Sequence, residues 1–407
     1  MTVTSRSSAR PVSRRSFLEG SVALAAAAAL PGGAFASGSD RIRIGLVGCG
    51  SRGVGAAAQA VAADDGVVIA ALGDRFPDQL AAATATLSAT CGSRFAPTGL
   101  FHGPDAADLV IAADLDAVIL ATPPGFRPAE LTRAVEAGRH IYAEAPLGID
   151  AAGVRAAAAA VEEGRRRGLS LASGLHARHL PAVRETVAAI AAGRIGRALR
   201  GVAIHHLGLP WMRPLESGWS ADEARLRNWI NDEQLSGGGF LHHLVHALDR
   251  CSWALGDATP LEATAVLPPA PLPAPPAHGP AATARIVFAD GATLEAGIVR
   301  RAGIEDRIEE VIEGSGGRAD LRRGTVAGAL VPAAGAVGGG HAACMASFLA
   351  SLRGGPARAD LASACRSTML AVMARTAVAT GAAVAWHDLW QAAPAPRSAR
   401  PVQSSRV

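Results

Sequence analysis

The stretch Arg41-Ile-Arg-Ile-Gly-Leu-Val-Gly-Cys-Gly-Ser-Arg-Gly-Val-Gly55 decides how the rest of the chain is read. Ile42, Ile44, Leu46 and Val47 form a short apolar run with the length of a buried parallel strand. Gly48, Gly50 and Gly53 follow in the spacing Gly-x-Gly-x-x-Gly, and an alanine-rich run over 56–63 reads as a helix. Each glycine has a separate physical role. Gly48 permits a tight turn, Gly50 lets backbone approach a pyrophosphate, and Gly53 lets helix and strand pack closely. The helix start, with Ser51 and Arg52, offers unbonded N–H groups and positive potential to phosphates.

A second strand over 67–72 leads to Asp74, 26 positions beyond Gly48. An acid placed there accepts hydrogen bonds from the adenosine ribose. It repels a 2′-phosphate, so NAD is favoured, while the neighbouring Arg75 leaves NADP open. A glycine-rich turn with no nucleotide is the competing reading. Strand, helix and acid arriving in order argue against it.

Farther along, residues 116–122 form a buried strand that ends in Pro123-Pro124. A helix over 128–137 stops at Gly138, a C-cap signal. A strand and turn over 140–146, a helix over 151–167 and a strand over 169–173 complete a βαβ repetition, which implies a parallel sheet. Ligands sit beyond the carboxyl ends of such strands, where Thr122, Pro123, Glu144 and Pro146 fall. The expected fold class is α/β: a Rossmann dinucleotide-binding domain (40–160), then an α+β substrate-binding and oligomerisation domain with an open, mostly antiparallel sheet (161–390). A leader (1–36) precedes them and a disordered tail (391–407) follows.

The 407 residues suffice for two cores. The chain contains no lysine; all 39 basic side chains are arginine. That excludes a lysine acid/base and a Schiff base. No basic stripe with interleaved aromatics is present, so nucleic acid is not an expected partner. Cys49, Cys91, Cys251, Cys344 and Cys365 are scattered and odd in number, which implies neither a disulfide framework nor a zinc site.

The leader carries Ser13-Arg14-Arg15-Ser16-Phe17-Leu18, an apolar run over 22–30 and Ala34-Phe35-Ala36. These are a twin-arginine signature, an h-region too short for a permanent membrane span, and a small-residue cleavage site. Twin-arginine export moves folded proteins. The expected location is the periplasm or another extracytoplasmic space, with a cofactor loaded beforehand and held tightly.

In the second half, Leu175-His176-Ala-Arg178-His179 follows a strand end and can face the cleft. A strand is expected over 198–207. Trp211, Trp219 and Arg227-Asn228-Trp229 lie in a polar connection, where core packing is the first reading of each tryptophan. Three glycines at 237–239 precede a helix on which His242, His246 and Asp249 stand at i, i+4 and i+7, hence on one face. A catalytic base, a metal pair and a hydrogen-bonded structural cluster all fit that face. Metal fits least, because the glutamate of His-Glu-x-x-His is missing. A proline-rich exposed loop (267–280) and a hairpin with a type I′ turn at Asp290-Gly291 follow. A strand over 307–313 and helices over 341–353 and 362–380 come after them.

The succession GLVGCGSRG (45–53), ATPP (121–124), IYAEAP (141–146) and GLHARH (174–179) resembles the Gfo/Idh/MocA family of two-domain oxidoreductases. The family is related to glucose–fructose oxidoreductase and inositol dehydrogenase. Arg227-Asn228-Trp229 and Asp249-x-x-x-Trp253 look most like an exported subgroup. The resemblance implies that Gly48, Gly50, Gly53, Asp74, Thr122, Pro123, Glu144 and Pro146 line the dinucleotide. It also implies a Glu-Lys-Pro motif, which here reads Glu144-Ala145-Pro146. Of the family's Asp-x-x-x-His pair, His246 matches the histidine and His242 replaces the aspartate. Gly125 and Arg127 stand where many members carry histidines.

The implied activity is hydride transfer between a bound NAD(P) and a hydroxyl of a sugar or polyol. His246 is the expected base, and His242 orients it or shares the proton. Arg178, His179, Arg227, Trp229 and Asp249 are the expected substrate contacts. A homo-oligomer through the antiparallel sheet is implied. Two other readings stand beside this one. The first is an NAD-dependent glycosidase working by transient oxidation and elimination. The second is a non-catalytic cofactor- or sugar-binding homologue, which the missing lysine and aspartate make real.

Overall fold

The computed structural model describes residues 40–266, 283–332, 339–355 and 361–391. The expected leader, the proline-rich loop and the tail beyond 391 lie outside the described residues.

Strands β1 (Ile42–Val47), β2 (Val67–Asp74), β3 (Phe95–His102), β4 (Ala117–Leu120), β5 (His140–Ala143) and β6 (Leu171–Ser173) form one sheet in the order β3-β2-β1-β4-β5-β6. Every neighbouring pair is parallel. The order reverses between β1 and β4, where open α/β sheets bind their ligands. β4 is buried along its whole length, as its unbroken apolar run requires when helices cover both faces. The layer runs past the boundary expected at residue 160. Helix Ala151–Arg166 buries Val154, Ala157 and Val161, and β6 pairs with β5 through Ile141 and Leu171. The sheet edge therefore closes only at Ser173.

The second sheet has nine strands: β7 (Ala198–Leu207), β8 (Pro260–Val266), β9 (Thr283–Phe288), β10 (Thr293–Arg300), β11 (Arg307–Gly314), β12 (Gly317–Asp320), β13 (Thr325–Val326), β14 (Ala329–Leu330) and β15 (Val384–Ala385). Their order is β14-β13-β12-β11-β7-β10-β9-β8-β15. All neighbours are antiparallel except β7 and β10. The β9–β10 hairpin departs from expectation. A type I′ turn needs a left-handed φ at two central residues. Gly291 has φ +84°, but among the described residues only Asp257 and Ala327 are non-glycines with positive φ. Asp290 therefore stays right-handed. The Gly291 N–H donates to the Phe288 carbonyl at 2.9 Å, which makes a type I turn followed by a left-handed glycine.

The two layers are not consecutive halves of the chain. Helix Gly340–Leu352 packs on helix Ser51–Ala63, and helix Leu361–Thr380 packs on Ala151–Arg166. The Leu147 N–H donates to Thr368 Oγ1 at 3.1 Å, and Arg353 pairs with Asp64 at 2.6 and 2.8 Å. Small buried residues such as Ala56, Ala57 and Ala60 let these helices approach closely, which suits a chain with few aromatics.

Helix Leu244–Ala254 is the hub of the second layer. Its Asp249 is 1% exposed and accepts from Arg178 Nε (2.9 Å), Arg178 Nη2 (2.9 Å) and Ser367 Oγ (2.8 Å). Its Arg250 pairs with buried Glu310, which also meets His205 Nε2 at 3.2 Å. Burial raises the Glu310 carboxyl, but the His205 hydrogen bond and the Arg250 guanidinium outweigh it and hold the group down to about 2. The assignment of Arg178 and Asp249 to substrate is therefore corrected. They satisfy each other in the core, tying the turn His176–His179 to two helices. Arg178→Met leaves the Asp249 carboxylate buried without its cation. The variant should lose roughly 3–5 kcal/mol in urea unfolding. Arg178→Met/Asp249→Leu should recover most of that loss.

Candidate functional site

The three glycines occupy three different environments. Gly48 has φ +92°, and a Cβ there would lie 2.8 Å from the Ala121 and Thr122 backbone. A Cβ on Gly53 would lie 2.0 Å from the Gly48 carbonyl oxygen. Gly50 caps helix Ser51–Ala63 in an extended conformation, and a Cβ there would meet nothing within 4 Å. No side chain caps that helix start, so its first N–H groups face an open cradle. A phosphate fits such a place on backbone approach and helix potential together.

That cradle opens into a cavity of about 610 Å³, within the range of cofactor sites. Gly48, Gly50, Ser51, Arg52, Asp74, Arg75, Thr122 and Pro123 all line it. Gly53 stands behind the wall as the packing contact. Asp74 Oδ2 accepts from the Cys49 N–H at 2.7 Å and Oδ1 from the Phe76 N–H at 2.9 Å. Burial raises the Asp74 carboxyl and those two bonds oppose the rise.

Glu144 and Pro146 are not among the residues lining this cavity. The Glu144 carboxylate is buried, with Oε1 3.0 Å from Arg52 Nε and Oε2 where a Cβ on Gly174 would stand. The Pro146 carbonyl accepts from Arg127 Nη1 at 2.5 Å, and the other Arg127 nitrogen donates to the Thr122 carbonyl. Arg127 thus ties the two strand-end turns together. Burial lowers its guanidinium to about 10, against the raising effect of Glu130 and Glu144. The sequence signal for it was an arginine in a position expected to hold histidine.

His242 and His246 do not share one unbroken helical face. The helix ends at His242 and restarts at Leu244, with His243 between them at φ −107°, ψ −50°. His242 lines the cavity edge-on to Trp229, with ring centroids 5.0 Å apart. His246 is not among the lining residues; it keeps part of its surface accessible, but its Nδ1 is enclosed without a hydrogen-bond partner. Its ring centroid lies 5.6 Å from that of His176, which stacks on His341 at 3.9 Å. The Nδ1 atoms of His176 and His341 are likewise enclosed and unpartnered. Nothing local at 341 signals this grouping; the helix Gly340–Leu352 brings it there from far along the chain.

Of the remaining expected substrate contacts, only Trp229 and Arg227 line the cavity. Arg227 is committed to Asp78 and Glu223. His179 is buried and is not among the lining residues. No group of three or more His, Cys, Asp or Glu suited to a metal ion occurs among the described residues.

Burial lowers His242 to about 4, His243 to about 3 and His341 to about 3. Between those values and an ordinary 6.5 the unfolded chain binds protons that the folded chain does not. Stability is therefore complete above pH 6.5 and is lost as pH falls toward 4. The melting temperature should drop from pH 7 to pH 4.5, and His341→Gln should reduce the drop. Two glycine variants should separate packing from binding. Gly53→Ala should lower the melting temperature, whereas Gly50→Ala should leave it in place and weaken nucleotide binding in calorimetry.

Residues 42–172 match the family model described as an oxidoreductase family with an NAD-binding Rossmann fold. Residues 11–31 match the twin-arginine translocation signal sequence. The chain is 31% identical over 159 residues to a 1,5-anhydro-D-fructose reductase of Ensifer adhaerens, covering 39% of this chain and 43% of the relative. It is 35% identical over 107 residues to a glycosyl hydrolase family 109 protein of Solibacter usitatus, covering 26% and 24%. The aligned part thus spans less than half the length of these curated relatives. Among solved structures, levoglucosan dehydrogenase with NADH and levoglucosan aligns with TM-score 0.64 at 20% identity, over 85% of this chain and 99% of that one. An aldose-aldose oxidoreductase of Caulobacter crescentus aligns with TM-score 0.64 at 17% identity, over 85% and 99%. At those identities the likeness is one of fold. Residues 42–172 thus carry an NAD-binding Rossmann domain of the Gfo/Idh/MocA oxidoreductase family, behind a twin-arginine leader.

Proposed function

We propose that this protein is an NAD(P)-dependent oxidoreductase acting on a hydroxyl of a sugar or polyol. The observation that carries the reading is a single cavity lined by Gly50 and Asp74 as well as by His242 and Trp229. The relatives named as a 1,5-anhydro-D-fructose reductase and a levoglucosan dehydrogenase support a carbohydrate substrate. When bound, the dinucleotide supplies a hydride acceptor or donor at its nicotinamide ring.

The chain's own part is acid–base and positional. His246 takes the proton leaving the substrate hydroxyl. A base must be uncharged before it acts, and burial, with His176 and Arg250 adding to it, keeps this imidazole well below its ordinary value. His242 orients it or shares the proton. Trp229 and Trp211 offer flat apolar faces to a sugar ring. Asp74 favours NAD, and Arg75 is the cation nearest in sequence for a 2′-phosphate. Thr122 and Pro123, which line the cavity, would hold the cofactor, while Glu144 would position Arg52 and Pro146 would be tied to Thr122 by Arg127. Leu261 and Leu330, 50% and 75% exposed on the second sheet, support a homo-oligomer through that sheet.

A second reading has its own support. Relatives named as glycosyl hydrolase family 109 proteins, together with export, favour a redox-neutral cleavage that uses bound NAD transiently. The two differ in product: a dehydrogenase accumulates NADH absorbance with a free sugar, and the cleavage cycle releases the aglycone of an aryl glycoside with no net change. In either case His246→Ala should lower kcat about 10²–10⁴-fold. Cofactor released on denaturation, identified by mass spectrometry, should stay at the parent level. Unchanged turnover in that variant removes His246 from the chemistry and leaves a binding protein.

A further inference from the structure

We propose that the connection over 208–232 is a clasp that retains the dinucleotide, with Arg227 and Asp78 as its latch. The inference rests on the reading of the cavity as a dinucleotide site. The connection joins β7 to helix Glu233–Ser236 and contains only helix Ala221–Arg227 and the turn Trp229–Asn231. A connection of this length inside a compact domain usually has a function of its own. It belongs to the second layer, yet Trp211, Arg213, Leu226, Arg227, Trp229 and Ile230 line the cavity built on the first.

Two ties fasten it there. Arg227 donates to both oxygens of Asp78 at 2.9 Å, in the fork geometry that makes arginine–carboxylate pairs directional. Its guanidinium lies 4.1 Å from the Phe76 ring centroid and 4.8 Å from that of Trp219. The second tie is Arg213, whose two Nη atoms reach the Gln79 amide oxygen at 2.9 and 2.8 Å once that amide is turned toward them. Both partners sit in the first turn of helix Pro77–Cys91, directly after Asp74. The clasp therefore closes the cavity at the end where a ribose meets the acid of the second strand.

The connection is braced internally. The Arg213 N–H donates to Asn228 Oδ1 at 2.7 Å, and Asn231 Nδ2 donates to the Trp211 carbonyl at 3.0 Å. Its limbs are held together, so it opens as one piece. The latch is built to open. The Arg227 side chain is 8% exposed, but its partner Asp78 is 55% exposed and open to water. The Arg178–Asp249 pair, with its carboxylate at 1%, is a core tie by contrast. An exported protein works where free dinucleotide is scarce. Slow release then sets how long each molecule stays active.

The test is the rate at which NADH leaves the mature protein, read by fluorescence after adding excess NAD. Asp78→Arg and Arg227→Glu should each speed release by about tenfold or more, the value of one good charge-assisted pair. Asp78→Arg/Arg227→Glu should bring the rate back toward the parent. Singles that release NADH at the parent rate overturn the clasp. Fast singles that the double variant does not restore overturn the ion pair as the latch. A parent protein that takes up no NADH overturns the functional reading and the clasp together, whereas normal uptake with unaltered release overturns the clasp alone.

Discussion

The contact between the Gly48 carbonyl and the space where residue 53 would carry a side chain governs this molecule. The helix that follows β1 can start only where that carbonyl passes within 2.0 Å of a virtual Cβ. No residue but glycine fits at 53. The close approach sets the helix axis and aims its free N–H groups at the cavity. The same helix then receives Gly340–Leu352 on its outer side, and that second contact carries His341 to His176. One backbone constraint thus fixes both the nucleotide cradle and, two packing steps later, the imidazoles beside His246.

Loss of the motif lysine changes what the site can do. Ala145 supplies no proton and no charge. The guanidiniums tied to the flanking Glu144 and Pro146 are already committed: Arg52 to the Glu144 carboxylate, Arg127 to two carbonyl oxygens. Arginine stays charged across the physiological range, so these groups hold geometry rather than exchange protons. In the proposed reaction proton transfer falls to His246, whose imidazole burial holds well below its ordinary pKa.

The first layer was legible because its signals are local. Glycine spacing, apolar runs and an acid at a strand end each act within a few residues, and they place Gly48, Gly50, Asp74, Thr122 and Pro123 where the cavity lies. The strand over 198–207 and the helices near 341–352 and 361–380 were equally readable from period and punctuation. What failed depended on partners far away in sequence. Asp249 looks like a site residue by spacing, yet it faces Arg178 and Ser367, 71 and 118 positions distant. Arg227 lines the cavity, but the carboxylate that holds it lies 149 positions back and is invisible to local spacing. The single-residue break at His243 has no sequence mark, since histidine neither caps nor ends a helix by preference. At Asp290 the turn chemistry was ambiguous, because Asp-Gly serves both the two-residue turn and the longer one with a left-handed glycine.

The placement of helices Gly340–Leu352 and Leu361–Thr380 has a consequence for how the protein is made. They cover the layer that the N-terminal residues begin, so a ribosome must pass residue 380 before that layer is sealed. Until residue 352 is made helix Ser51–Ala63 lacks its covering helix, and until residue 341 is made the three stacked or neighbouring imidazoles do not exist as a group. Twin-arginine export moves folded proteins, so these packing contacts form before the chain crosses the membrane.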